Sequence, residues 1–247
     1  MRVTVLEMPA RWGDPSVALR AVDQVLAAGP ATDLVLLPET SLTGYVSPRG
    51  DFDLTVHAEP IHGPTAHGLA ELARRHRTAV VGPLVLREGA SVSNAMLAFD
   101  ESGASLFTYR KRHPWLPEEW ATAGGERLPV VPIRDMSVTI CICYDIHFVG
   151  WESSVALDAA DLLLFPSAWV DDGPVDLRDA LLRDLARKHR IAIANANWSA
   201  GVVEIAGQGR SRILDHTGRE LGRIHDAAAR ALGIARLDAT LELRSKS

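Results

Sequence analysis

The chain is poor in cysteine. It has two in 247 residues, Cys141 and Cys143, which excludes a disulfide-stapled scaffold. It has no long apolar run. The longest, such as Leu34–Leu37 and Leu162–Phe165, are far too short to span a bilayer. The N-terminus, MRVTVLEMPA, reads as a first strand and lacks the apolar centre of a signal peptide. Basic residues are in deficit, 26 against 31 acidic, for a net charge of −5, which argues against a nucleic-acid partner. No run of like charge, linker, low-complexity tract or short-period repeat stands out. These features suggest a cytoplasmic protein with free thiols, one domain over residues 1–247, and no membrane partner.

What is present is alternation. Short apolar runs at Val3–Leu6, Leu34–Leu37, Ala79–Leu86, Asn94–Asp100, Ser105–Tyr109, Ser137–Cys143, Leu162–Phe165 and Ile191–Ala196 read as strands. Helical spacing predicts helices over Ser16–Ala28, Thr65–His76, Trp151–Ala159 and Leu177–His189. Asp14 or Ser16 would cap the first, and Gly29 would stop it. Short β-type pieces at Arg212–Leu214, Glu220–Ile224 and Ala231–Ile234 close the chain. Hairpin turns and β–helix–β crossovers both occur, so the fold class is α/β, a sandwich of sheets covered by helices. Two strand–helix–strand units end alike, "LLPET" at 36–40 and "LFPSA" at 164–168, as if one unit occurred twice. The stretch from Pro114 to Pro132 has no periodicity and reads as a long functional loop.

The two cysteines sit in "TICICYD", residues 139–145. Their spacing is one short of the redox Cys-x-x-Cys, and the nine histidines are scattered singly, so no zinc site is evident. A buried core role suits Cys141. Cys143 stands where the apolar run ends, a place where α/β folds present reactive groups, and core residue and nucleophile both remain open for it. Glu39 closes an apolar strand, where partial desolvation would suit a general base. Lys111 follows the strand at Ser105–Tyr109. Each of these alone is more often a surface charge.

Together, "LLPETSLTGY" at 36–45, "YRKRH" at 109–113 and "ICYDIHF" at 142–148 are more specific. In this order they resemble the Glu-Lys-Cys signature of the nitrilase superfamily of carbon–nitrogen hydrolases. The segments at 80–103, 160–169 and 209–218 are similar to further parts of that family. The resemblance implies a four-layer α-β-β-α sandwich of two mixed sheets flanked by helices, usually in a homodimer or higher homo-oligomer. It implies Cys143 as nucleophile, Glu39 as base, and Lys111 with the backbone N–H of Tyr144 at the oxyanion. No cofactor and no metal are implied. The run "KRHPWLPEEW" at 111–120 resembles an amidase-like version carrying a second glutamate, which falls on Glu119, with Glu118 as the alternative. Proximity to the motifs offers Tyr45, Trp115, His147, Trp169 and Asn197 as substrate-binding residues; Asp171 and Asp172 read as a solvated acidic loop, with attraction of a cationic amine as the alternative.

Two departures stand out. The family's Phe-Pro-Glu becomes Phe148-Val149-Gly150-Trp151-Glu152, and His147 stands where ω-amidases often have arginine. Cys-Tyr-Asp in place of Cys-Trp-Glu resembles the amidase branches rather than nitrilases. The expected reaction is hydrolysis of a small-molecule amide through a cysteine acyl-enzyme. N-carbamoyl amide hydrolysis, nitrile hydrolysis, acyl transfer to an amine and a catalytically idle binding subunit are the alternatives.

Overall fold

The computed structural model describes residues 1–9, 11–170, 176–199, 209–225 and 233–243. Its first sheet runs in the order β12-β1-β2-β3-β4-β5. These strands are β1 (Arg2–Pro9), β2 (Leu34–Leu36), β3 (Ala79–Glu88), β4 (Ser91–Phe99), β5 (Ser105–Arg110) and β12 (Ala235–Thr240). The second runs β6-β7-β8-β9-β10-β11. Its strands are β6 (Val131–Ile133), β7 (Met136–Ile140), β8 (Leu162–Ser167), β9 (Ala192–Ser199), β10 (Arg212–Leu214) and β11 (Glu220–Arg223). The sheets join at one corner, where Met8 and Pro9 of β1 pair with Trp198 and Ser199 of β9.

Strand periodicity builds the layers. Val3, Val5, Leu34, Leu36, Ala79 and Val81 face the second sheet, meeting a cluster that includes Val138, Ile140, Leu162 and Leu164. Their sequence neighbours Leu6, Val35, Leu37 and Val80 face outward, as the two-residue repeat of a strand requires. There they pack on Val22 and Leu26 of α1 (Pro15–Ala28) and on Leu69, Leu72 and Ala73 of α2 (Pro64–His76). Beyond the second sheet, the core continues into Leu157 of α4 (Ser154–Ala159) and Leu182, Leu185 and Ala186 of α5 (Leu177–His189). The expected α-β-β-α sandwich is the observed one. Asp14 caps α1, accepting from Ser16 N at 2.7 Å, with Pro15 in its first turn.

Boundaries moved in three places. The helix expected from Trp151 begins earlier, as α3 (Ile146–Glu152), straight after a 3-10 turn over Cys143–Asp145. The cause is Asp145, whose carboxylate accepts from Ile142 N at 3.0 Å and fixes the turn that starts the helix. The strand before it ends at Ile140. The last strand is β12, later than the expected piece at 231–234, of which 231 and 232 lie outside the described residues. Among the described residues, no helix is long and apolar enough to cross a membrane.

Candidate active site

Four side chains converge between the ends of the two sheets. Glu39 follows β2, in a turn where Thr40 takes a left-handed φ of 50°. Its Oε1 accepts from Lys111 Nζ at 2.7 Å and from Asn94 Nδ2 at 2.8 Å. Its Oε2 accepts from the backbone N of Ala168, just past β8, at 2.9 Å. Lys111 follows β5, and its N–H donates to Asn94 O on β4 at 2.8 Å, so strand pairing sets its position. Lys111 Nζ also donates to Glu118 Oε2 at 2.7 Å. Both glutamates and the lysine are buried.

The second glutamate is therefore Glu118, and the preference for Glu119 is corrected. A turn closes from Glu118 N to Trp115 O at 2.7 Å, and Trp115 N donates back to Glu118 Oε2 at 2.7 Å. That turn aims Glu118 inward and leaves Glu119 exposed. Asn94 also escaped sequence reasoning as a site residue. Its Nδ2 reaches Glu39 Oε1 and, at 2.9 Å, Glu118 Oε1, bridging the two carboxylates. The available signal was a polar residue in the apolar phase of a strand.

Cys143 comes from the second sheet. It opens the 3-10 turn with φ 42°, a left-handed conformation that costs roughly 1–3 kcal/mol and marks a functional constraint. Asp145, fully buried, holds the turn in place. It accepts from Tyr109 Oη at 2.8 Å and from Ile142 N, and its other oxygen accepts from His113 N at 2.8 Å. Tyr109 and His113 flank Lys111, so one carboxylate ties the lysine's strand to the cysteine's turn. Glu152 pairs with Arg112 at 2.8 Å and with His113 at 3.3 Å, reinforcing the link despite the altered Phe-Pro-Glu. Tyr144 N–H lies in the first turn of this helical segment, where a helix supplies no acceptor of its own. Cys141 is buried in the core and offers no access.

The electrostatics follow from burial. Burial raises the Glu39 carboxyl above its ordinary range, and the charge of Glu118 adds to this; Lys111 and a hydrogen bond with Cys143 oppose it. Burial disfavours the Lys111 ammonium, but Glu39 and Glu118 outweigh it and its pKa rises. The Cys143 thiol is pushed well up, first by burial and then by the charge of Glu39, against the pull of Lys111 and the Ala168 N–H. A thiol that holds its proton beside a carboxylate with raised basicity is poised for proton transfer on attack, not for resting as a thiolate. Among the described residues, no group of three or more His, Cys, Asp or Glu side chains is placed to hold a metal.

Cys143 opens into a cavity of about 310 Å³. Tyr45, Trp115, His147 and Trp169 line it, as proximity to the motifs suggested, with the unforeseen Phe52 and Trp198. Asn197 does not line it. Its Oδ1 accepts from Trp169 N at 2.8 Å and its Nδ2 donates to Trp169 O at 3.0 Å, so it holds the backbone of a lining residue. Asp171 and Asp172 lie outside the described residues.

The chain is similar to known proteins in sequence and in fold. The chain is 30% identical over 224 residues to an (R)-stereoselective amidase of Pseudomonas sp, covering 90% of this chain and 80% of that protein. It is 26% identical over 254 residues to the omega-amidase YafV of Escherichia coli (strain K12), covering 98% and 90%. Its fold matches XC1258 from Xanthomonas campestris, a CN-hydrolase superfamily protein, with TM-score 0.80 at 24% identity over 97% and 90% of the two chains. An amidase from Nesterenkonia sp. gives TM-score 0.76 at 24% identity over 96% and 89%. The carbon-nitrogen hydrolase family model matches residues 2–244, and the chain belongs to that family.

Proposed function

We propose that the protein hydrolyses small-molecule linear amides through a thioester on Cys143. The observation that carries this reading is the buried cluster of Glu39, Lys111 and Glu118 beside the Cys143 thiol at the base of the cavity. Glu39 takes the thiol proton as Sγ attacks the carbonyl carbon. The oxyanion is met by Lys111 Nζ and the Tyr144 N–H. An ammonium has three N–H bonds, and the two glutamates engage two of them. Each oxyanion donor of this type contributes roughly 3–4 kcal/mol. Glu39 then passes its proton to the leaving nitrogen, the C–N bond breaks, and ammonia or an amine departs. Glu39 next takes a proton from water, whose oxygen attacks the thioester. The acid leaves and Cys143 recovers its proton. Glu118 keeps Lys111 charged and aimed. The related amidases named above support the choice of amide over nitrile.

The same reading makes the protein a cytoplasmic homo-oligomer that needs no cofactor. The exposed Trp151 and Val155, on α3 and α4, support self-association, which sedimentation of the purified chain would test. The activity is tested by ammonia release from a panel of aliphatic amides, ω-amides, N-carbamoyl compounds and nitriles. Amides should be turned over and nitriles not. Cys143→Ala should abolish turnover with the fold intact by circular dichroism, and Cys141→Ala should keep most of it. The reverse pattern for the two cysteines would refute the assignment.

A further inference from the structure

Building on the amide-hydrolase reading, we propose that the site takes amides whose acyl group is a neutral hydrocarbon and rejects those whose acyl group carries a carboxylate. The cavity walls carry the argument. Tyr45 is the hub of one wall: its ring centroid lies 5.5 Å from Phe52, 5.6 Å from Trp198 and 6.4 Å from Trp115. Opposite, His147 lies 5.3 Å from Trp169, and Val170 completes that side. Aromatic walls of this kind exchange water for a hydrocarbon chain favourably, and bring no fixed positive charge to a carboxylate.

Charge points the same way. Among the described lining residues, none carries a permanent positive charge. Burial lowers the pKa of His147, which disfavours its charged form. The site's cation, Lys111, is already held between Glu39 and Glu118. A carboxylate entering this cavity would lose its water, gain no counter-ion from the described lining residues and approach a cluster that already holds two carboxylates. Uncompensated burial of a charge is among the most costly steps in binding. A hydrocarbon tail of the same length meets none of these obstacles.

The test compares two amides of equal chain length, pentanamide and glutaramate, which differ in ending in a methyl or a carboxylate. Ammonia release by the full chain at neutral pH should favour pentanamide by about 100-fold or more in kcat/KM, the scale set by an unpaired buried charge. Glutaramate within about tenfold of pentanamide, or better, would overturn the proposal. Calorimetric binding to Cys143→Ala reads the same preference without turnover. If no amide is hydrolysed, the amide-hydrolase reading fails and binding still decides the acyl class. Pentanamide bound with glutaramate refused sustains the inference, while glutaramate bound as tightly, or neither bound, overturns it.

Discussion

Set side by side, the two sheets have the same plan. In each, an antiparallel edge strand, β12 or β6, leads to three parallel strands and then two antiparallel ones. The matching segments "LLPET" and "LFPSA" each overlap the end of the second parallel strand of their sheet, so Glu39, just past β2, corresponds to Ser167, the last residue of β8. At that corner the first half places a carboxylate bonded to a lysine and, through Asn94, to a second carboxylate. The second half places a serine whose Oγ donates to Asn197 Oδ1 at 2.8 Å and accepts from Asn195 Nδ2 at 3.0 Å. One network is built on two carboxylates and a lysine beside the thiol; the other on a serine and two asparagines, with Arg178 Nη1 donating to Asn195 Oδ1 at 3.4 Å. The plan of the sheet positions a corner, and the residue types there decide whether it does chemistry. The halves also meet at the site, since the first holds Glu39 and the second the thiol of Cys143. Ala168, one residue past Ser167, donates its N–H across the gap to Glu39.

The comparison can be broken most severely at Lys111. Lys111→Met leaves two buried carboxylates facing each other without their cation. Stability should fall by about 3–5 kcal/mol in urea unfolding. Amide turnover should fall a further ~100- to 1000-fold in molecules that remain folded, from loss of the oxyanion donor. Retained activity would place the oxyanion elsewhere.

A smaller effect separates two neighbouring carboxylates. Glu118→Gln keeps the shape but weakens the hold on Lys111, and kcat should drop roughly 10- to 100-fold with KM little changed. Glu119→Gln, at an exposed position, should match the parent protein. Equal losses in both would argue that the turn over Trp115–Glu118 does not select the residue.

The smallest effect is a shift in pH dependence. Glu39 must be ionised to take the thiol proton, so activity falls as pH drops through its pKa, and burial places that limb above the ordinary carboxylate range. Asn94→Ala removes a hydrogen bond that favours the charged form. The acidic limb of kcat/KM should therefore move to higher pH, most visibly as lower activity on the acid side. A limb that stays fixed would assign it to another group.

Much of this was legible before the structure. Period-two alternation located the central strands, and Glu39, Lys111 and Cys143 each stand at a strand end, where the motifs put them. Other features depend on geometry that spacing does not carry. Glu118 and Glu119 are adjacent acids, and one i→i+3 turn bond decides which points inward. Asn197 failed by one residue of strand parity: its side chain bonds the backbone of Trp169, while its neighbour Trp198 lines the cavity. The early start of α3 depends on a carboxylate folding back onto the chain, an interaction invisible to apolar periodicity. Nor does spacing reveal that Asp145 joins the cysteine's turn to the lysine's strand.

The central claim is that a carboxylate of the first sheet restrains and then activates a thiol of the second. In a Cys141→Ala background, the pH dependence of Cys143 alkylation by iodoacetamide reports the thiol pKa directly. The account predicts that Glu39→Gln, by removing a negative charge beside the thiol, lowers the alkylation midpoint. Ammonia release from amides should at the same time fall by about 100- to 10,000-fold, the usual worth of a general base. An alkylation midpoint that rises or stays fixed, or amide turnover that survives the substitution, would contradict it.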